Sequence, residues 1–247
     1  MELYIIRHGQ STNNALPDEQ QTDRSYDAPL TEIGKQQAAC VAEFLSDGAN
    51  RDPWINPRTG YSRQDGGRGF ELTHLYCSPM YRAMQTTQPI ARATGLQPEI
   101  WIDVHEHGGV YLEEAGVITG YPGKTRAEIE REFSGYVVPD AVSDRGWYNA
   151  STGQESLEAC YGRAIKIAVE LRRRASEDHD NRERIAIVTH GTFIDALLKA
   201  LLNQLPNRTL YYLHYNTAIT RVDFTDNDRL LVRYLNRVDH LSPELIT

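Results

Sequence analysis

Three short apolar runs, each breaking directly into polar and charged residues, constrain this chain more than any other feature: "LYIIRHG" at 3–9, "HLYCSP" at 74–79 and "IAIVTHG" at 185–191. Unbroken apolar runs of this length read as strands covered on both faces, the situation of a parallel sheet in an α/β protein. Two of them end in His-Gly, and the first adds an arginine. Groups so costly to desolvate belong at the mouth of a buried strand when a rigid scaffold holds them for use.

The text between the runs fills in the layers. "LTEIGKQQAACVAEFL" sets Leu30, Ile33, Gln37, Val41, Phe44 and Leu45 near one face of a helix with Thr31 as its cap. Ser46 to Gly69 has no period and reads as a long loop. "SPMYRAMQTTQPIARATG" predicts a helix capped by Ser78, with Pro79 at its first position, Pro89 as an internal kink or break and Gly95 closing it. Ile100, Ile102 and Val104 alternate as in a third strand. Gly108 to Gly153 reads as an insertion over the sheet, with one helix at "KTRAEIEREF". "QESLEACYGRAIKIAVELRRRA" is a strong amphipathic helix, whose Arg172, Arg173 and Arg174 fall on its wet side. "TAITRVDF" and "RLLVRYLN" flank a turn and form an antiparallel hairpin. The expected fold is a three-layer α/β/α sandwich in one domain over 1–247, its mostly parallel sheet ending in an antiparallel edge strand, with inserted cap segments near 46–69 and 108–153.

Lys+Arg 26 against Asp+Glu 34 gives a net charge of -8, which argues against nucleic acid or an anionic membrane as partner. Cys40, Cys77 and Cys160 are scattered and lack CxxC spacing, so they read as reduced residues, and His105 and His107 lack an HExxH helix, so no metal is expected. No apolar run approaches membrane-spanning length, and a cytoplasmic location is the default. Oligomeric state is open, a homodimer included.

Ligands of parallel α/β sheets bind outside the carboxyl ends of the strands, so Arg7, His8, Ser78, Arg82 and His190 are placed to converge. Two arginines, two histidines and helix N-termini around one point describe a phosphate pocket, with Asn14 adding an amide. Gly9 and Gly191 are turn formers, and a glycine also lets the backbone approach a phosphate.

"RHGQSTNN" resembles the RHG motif of the histidine phosphatase superfamily, to which the cofactor-dependent phosphoglycerate mutases belong. "PLTEIGKQQA", "SPMYRAMQT", an acidic residue in "VHEHGG", "GQES" and "VTHGTF" follow in the family's order. The resemblance implies a phosphoglycerate mutase-like fold. It makes His8 the nucleophile that becomes a phosphohistidine, Arg7, Arg82 and His190 the holders of the phosphoryl oxygens with Asn14 assisting, and Glu106 the proton donor to the leaving oxygen. Asp103, Glu113 and Glu114 compete with Glu106 for that role. Gln10 stands where many members have Glu, a change that removes a charge beside His8 and that other members tolerate; the absence after Glu106 of the "RHYG" continuation of glycolytic mutases weighs against mutase activity. The expected activity is therefore hydrolysis of a small phosphorylated metabolite without a cofactor. A phosphoglycerate mutase is the alternative enzyme, and a non-catalytic phospho-ligand-binding module the alternative of another class. Glu155 and Ser156 read either as a helix start or as part of the site. Arg51, Arg58, Arg63 and Arg68, or Tyr111, Tyr121, Lys124 and Arg126, are candidates for a second anionic group of the substrate.

Overall fold

In β1 (Glu2–Arg7), Tyr4 and Ile6 enter one hydrophobic cluster and Leu3 and Ile5 another, because successive side chains leave opposite faces of a strand. The same split runs through β6 (Arg184–Thr189), with Ala186 and Val188 on the first side and Ile185 and Ile187 on the second. Against the first face pack α1 (Glu32–Asp47) through Val41, Ala42 and Leu45 and α2 (Tyr81–Thr94) through Ala83, Met84 and Ile90. Against the second pack α4 (Leu157–Glu177) through Ala164, Ile167 and Leu171 and α5 (Gly191–Leu201) through Phe193, Leu197 and Leu201. These are the three layers expected. The computed structural model describes residues 1–17, 19, 23–48, 69–178, 183–225 and 229–247.

β2 (His74–Cys77), β3 (Pro98–Ile100), β7 (Ile219–Phe224) and β8 (Leu230–Arg237) complete a sheet of order β3-β2-β6-β1-β7-β8. The pairs β3–β2, β2–β6 and β6–β1 are parallel, whereas β7 runs against both β1 and β8. The one reversed strand is thus β7, a place in from the edge. Connections lead from β1 toward β3 over one face and from β6 toward β8 over the other. The order reverses between β1 and β6, where open α/β sheets leave a crevice. Arg7 lies opposite Thr189, and Cys77 opposite Val188, so all three strands deliver their next residue to that crevice.

Several expectations need correction. Ile33 is exposed, and the buried positions of α1 are instead Gly34, Gln37, Ala38, Val41, Ala42 and Leu45. Ser78 does not cap α2, which starts at Tyr81; Asp27, distant in sequence, accepts the Tyr81 N–H at 2.9 Å. Pro89 is carried inside α2, while Gly95 closes it in the left-handed conformation. The third strand stops at Ile100, and Ile102–Val104 form a 3-10 turn. Arg172 and Arg174 are tied down, to the Leu201 carbonyl and to Glu183 with Tyr76, and only Arg173 of the three lies in solvent.

The 108–153 region holds an unforeseen hairpin, β4 (Tyr111–Glu114) with β5 (Val117–Gly120), besides the expected helix, α3 (Arg126–Glu132). A capping box between Thr125 and Glu128 starts α3. Val110, Ile129, Phe133, Val142 and Trp147 join the core on the α1–α2 side. Most of the 46–69 loop, with Arg51, Arg58, Arg63 and Arg68, lies outside the described residues. Among the described residues no helix is long and apolar enough to cross a membrane.

The loop after β1 presses on the first turn of α1. A Cβ on Gly34 would stand 2.1 Å from the Gln10 carbonyl oxygen, and one on Gly9 2.5 Å from that of Gly34. Main chain cannot yield as a side-chain tip would. Gly34→Ala is expected to destabilise the fold by about 1–3 kcal/mol, read as a lower urea midpoint; an unchanged midpoint would mean that the two segments part without cost.

Candidate functional site

His8 leaves β1 into a place where distant residues bond its main chain. Its N–H donates to Thr189 O at 2.9 Å, and its carbonyl accepts from Asn216 Nδ2 at 2.9 Å. Gly9 N–H donates to Thr86 Oγ1 at 3.0 Å. The Gln10 side chain accepts from the Thr31 hydroxyl at 2.7 Å, so the amide works as a brace to the α1 cap. The ring of His8 is 2 % exposed and stands 5.0 Å, centroid to centroid, from that of His190.

The hydrogen bonds assign the tautomers. His8 Nδ1 meets Gly9 O at 2.6 Å and must donate, while Nε2 receives Arg82 Nε–H at 3.1 Å and so presents its lone pair. Burial, then the Arg82 and Arg7 guanidinium charges, hold the His8 pKa well below the usual histidine range. Burial and Arg82 do the same to His190. His190 Nε2 lies 2.8 Å from Ser78 Oγ, which accepts the Met80 N–H and has its own proton to give. That leaves Nδ1–H of His190 as the donor. It is buried without a partner among the described residues, and so is Arg7 Nε. Buried donors are ordinarily paired, and two orphans beside a pair of guanidinium groups form a receptor for an anion.

Glu106 follows the 3-10 turn and lies across the start of α5. Its Oε1 accepts the N–H groups of Phe193 and His107, both at 2.9 Å, and its Oε2 that of Thr192 at 3.3 Å. It is also the carboxylate that acts on both Arg7 and Arg82. The competing Asp103, Glu113 and Glu114 are all exposed, the glutamates on the hairpin. Gly191 opens α5 with its missing Cβ 3.5 Å from Arg7 Nε. Asn14 is exposed, and its Oδ1 accepts from the Ser11 N–H and hydroxyl; it makes no hydrogen bond to Arg7, His8, Arg82 or His190.

Two participants, Asp27 and Tyr211, were not legible, and two others, Ser78 and Glu155, were placed near the site without the contacts they make. Ser78 looks like a cap before proline and instead orients His190. Asp27, pushed up to about 6 by burial, holds the start of α2 near Arg82. The Tyr211 hydroxyl stands 3.4 Å from where a Gly191 Cβ would be, beside Thr192, Arg7 and Glu106. Glu155 is bound to Arg163, and nothing in the local spacing pairs the two. Among the anion candidates of the insertion, Arg126 is committed to three main-chain carbonyls and Glu130, and Lys124 to Glu132 and the Tyr81 ring. Tyr121 stacks on Tyr26 with centroids 4.2 Å apart, and Tyr111 accepts from Gln154.

Fold and site together define a class: a doubly wound α/β protein with paired buried imidazoles beside two arginines at its switch point. The family model of the histidine phosphatase superfamily (branch 1) matches residues 3–55 and 66–237, and the chain belongs to that family. It is 26% identical over 240 residues to phosphoglycerate mutase-like protein 4 of Arabidopsis thaliana, covering 97% of this chain and 86% of the relative. Two solved structures share the fold. One is a mutant phosphoserine phosphatase from Entamoeba histolytica in complex with phosphoserine, with TM-score 0.59, 21% identity and coverage of 98% and 99% of the two chains. The other is a mycobacterial glucosyl-3-phosphoglycerate phosphatase with VO3, with TM-score 0.57, 21% identity and coverage of 96% and 99%.

Both histidines should stay neutral in mild acid. NMR signals of the His8 and His190 rings are expected to remain those of the neutral form well below the ordinary histidine midpoint, and a midpoint near 6.5 would contradict the burial described. The unfolded chain takes up these protons near 6.5 and the native one does not, so stability falls as pH drops below that value. The limiting slope is about 1.4 kcal/mol per pH unit for each ring, with Asp27 working in the opposite sense.

Proposed function

We propose that this chain is a phosphomonoester hydrolase that works through a phosphohistidine on His8. The observation that carries the reading is the lone pair of His8 Nε2 beside the buried donors of Arg7, Arg82 and His190. A pocket for binding alone has no need of a nucleophile kept unprotonated, nor of a carboxylate beside it. The phosphatases of similar fold act on or bind small phosphorylated molecules, which supports a substrate of that size.

In the first step His8 Nε2 attacks phosphorus as the P–O bond to the leaving group breaks. Arg7, Arg82 and His190 Nδ1–H meet the phosphoryl oxygens, where the developing charge is stabilised without reorganisation of the site. Asn14 would assist through its Nδ2, and the open Gly191 position lets the α5 N-terminus approach. An alkoxide leaves poorly, so Glu106 gives it a proton. Oε2, with only the 3.3 Å contact, is the oxygen to hold that proton. In the second step the Glu106 carboxylate takes a proton from water, the water oxygen bonds to phosphorus, and the N–P bond returns its electron pair to His8.

With a panel of phosphorylated metabolites, wild type is expected to release phosphate and to trap an acid-labile phosphoprotein. His8→Ala should lose more than about a thousandfold in turnover. Unchanged turnover in His8→Ala would remove the mechanism, and efficient interconversion of 2- and 3-phosphoglycerate would make the protein a mutase instead.

A further inference from the structure

Arg163 lies on α4 and is 8 % exposed. Its Nε and Nη2 donate to the two oxygens of Glu155 at 3.0 and 2.6 Å, and its Nη1 donates to the carbonyls of Asp103 and His105 at 2.7 and 2.8 Å. The guanidinium carbon stands 4.7 Å from the centroid of the Phe193 ring.

Every one of these partners borders Glu106. Asp103 and His105 precede it in the chain, and Phe193 supplies an N–H to its Oε1. Glu155 donates its own N–H to Gly108 O at 3.0 Å, so the ion pair grips the segment on both sides of Glu106. Thr189, at the end of β6, fixes the middle of that segment through a 2.6 Å bond to Val104 O. His105 adds no charge: burial and Arg163 lower its pKa to about 3, and Nδ1 is spent on Ile102 O. A buried ion pair is weak as a source of stability, because an apolar pair of similar volume often serves as well. A planar fork that meets one carboxylate and two carbonyls of a turn does what an apolar pair cannot.

We propose that Arg163, oriented by Glu155, is a positioning residue that sets the Glu106 carboxylate at the leaving oxygen of the substrate. The inference rests on the reading of Glu106 as proton donor. Displacement of a donor by about 1 Å costs on the order of a hundredfold in rate.

The test measures single-turnover phosphorylation of His8 with 4-nitrophenyl phosphate, whose leaving group departs without a proton, and with phenyl phosphate, whose less acidic phenol needs one. Arg163→Lys and Glu155→Gln are each expected to lose about tenfold or more on phenyl phosphate relative to 4-nitrophenyl phosphate, and Glu106→Gln to show the same selectivity. Vanadate affinity reports the phosphate pocket and should stay within about threefold of wild type. If Arg163→Lys does not fold, Glu155→Gln keeps the shape and one acceptor and carries the measurement. Equal losses on both substrates, or none, with Glu106→Gln still selective would overturn the positioning role alone. Loss of selectivity in Glu106→Gln itself would overturn the proton-donor reading and this inference with it.

Discussion

The structure turns on keeping two imidazoles uncharged beside two guanidinium groups. Burial does most of this, and the positive neighbours do the rest. In water the rings would be partly protonated near neutrality. The requirement explains why His8 and His190 stand where strands meet helices at the centre of the sheet, the one edge that is buried and yet opens on a crevice. It also explains why Gly9 O and Ser78 are set against one ring nitrogen of His8 and of His190 respectively, since a neutral ring in the wrong tautomer presents the wrong nitrogen.

Arginine serves two ends in this molecule. Arg7 and Arg82 remain short of partners inside, with Arg7 Nε unpaired and Arg82 Nε set against a lone pair that an oxygen atom would replace. Arg163 and Arg126 have their forks filled by carbonyls and carboxylates of the chain. The difference lies in what surrounds each fork rather than in how deeply it sits. Arg163 is among the more buried side chains, and each of its three nitrogens donates to the chain.

The fold was legible wherever a local period carried it. The central strands, α1, α4, α5 and the final hairpin follow from apolar spacing, because each must bury a face. Reading failed where a distant residue supplies the deciding contact. Ser78-Pro79 has the form of a helix start, but Asp27 takes the terminal N–H and frees Ser78 for His190. Ile102 and Val104 alternate like a strand, yet Arg163 draws the carbonyls on either side of Val104 into a turn. The positions of His8, Arg82, Glu106 and His190 were readable from motif and strand-end logic. The roles of Tyr211 and Glu155 were not, since neither local spacing nor residue type brings them to α5 or to Arg163.

The loop that carries His8 is held by Thr189, Thr86 and Asn216, each more than seventy residues away along the chain. These contacts close large loops, which makes assembly slow. The central strands must all be docked before the His8 ring acquires its environment. Until β6 lies beside β1 the His8 N–H lacks its Thr189 acceptor, so the buried setting of this ring is a property of the completed sheet rather than of any one segment.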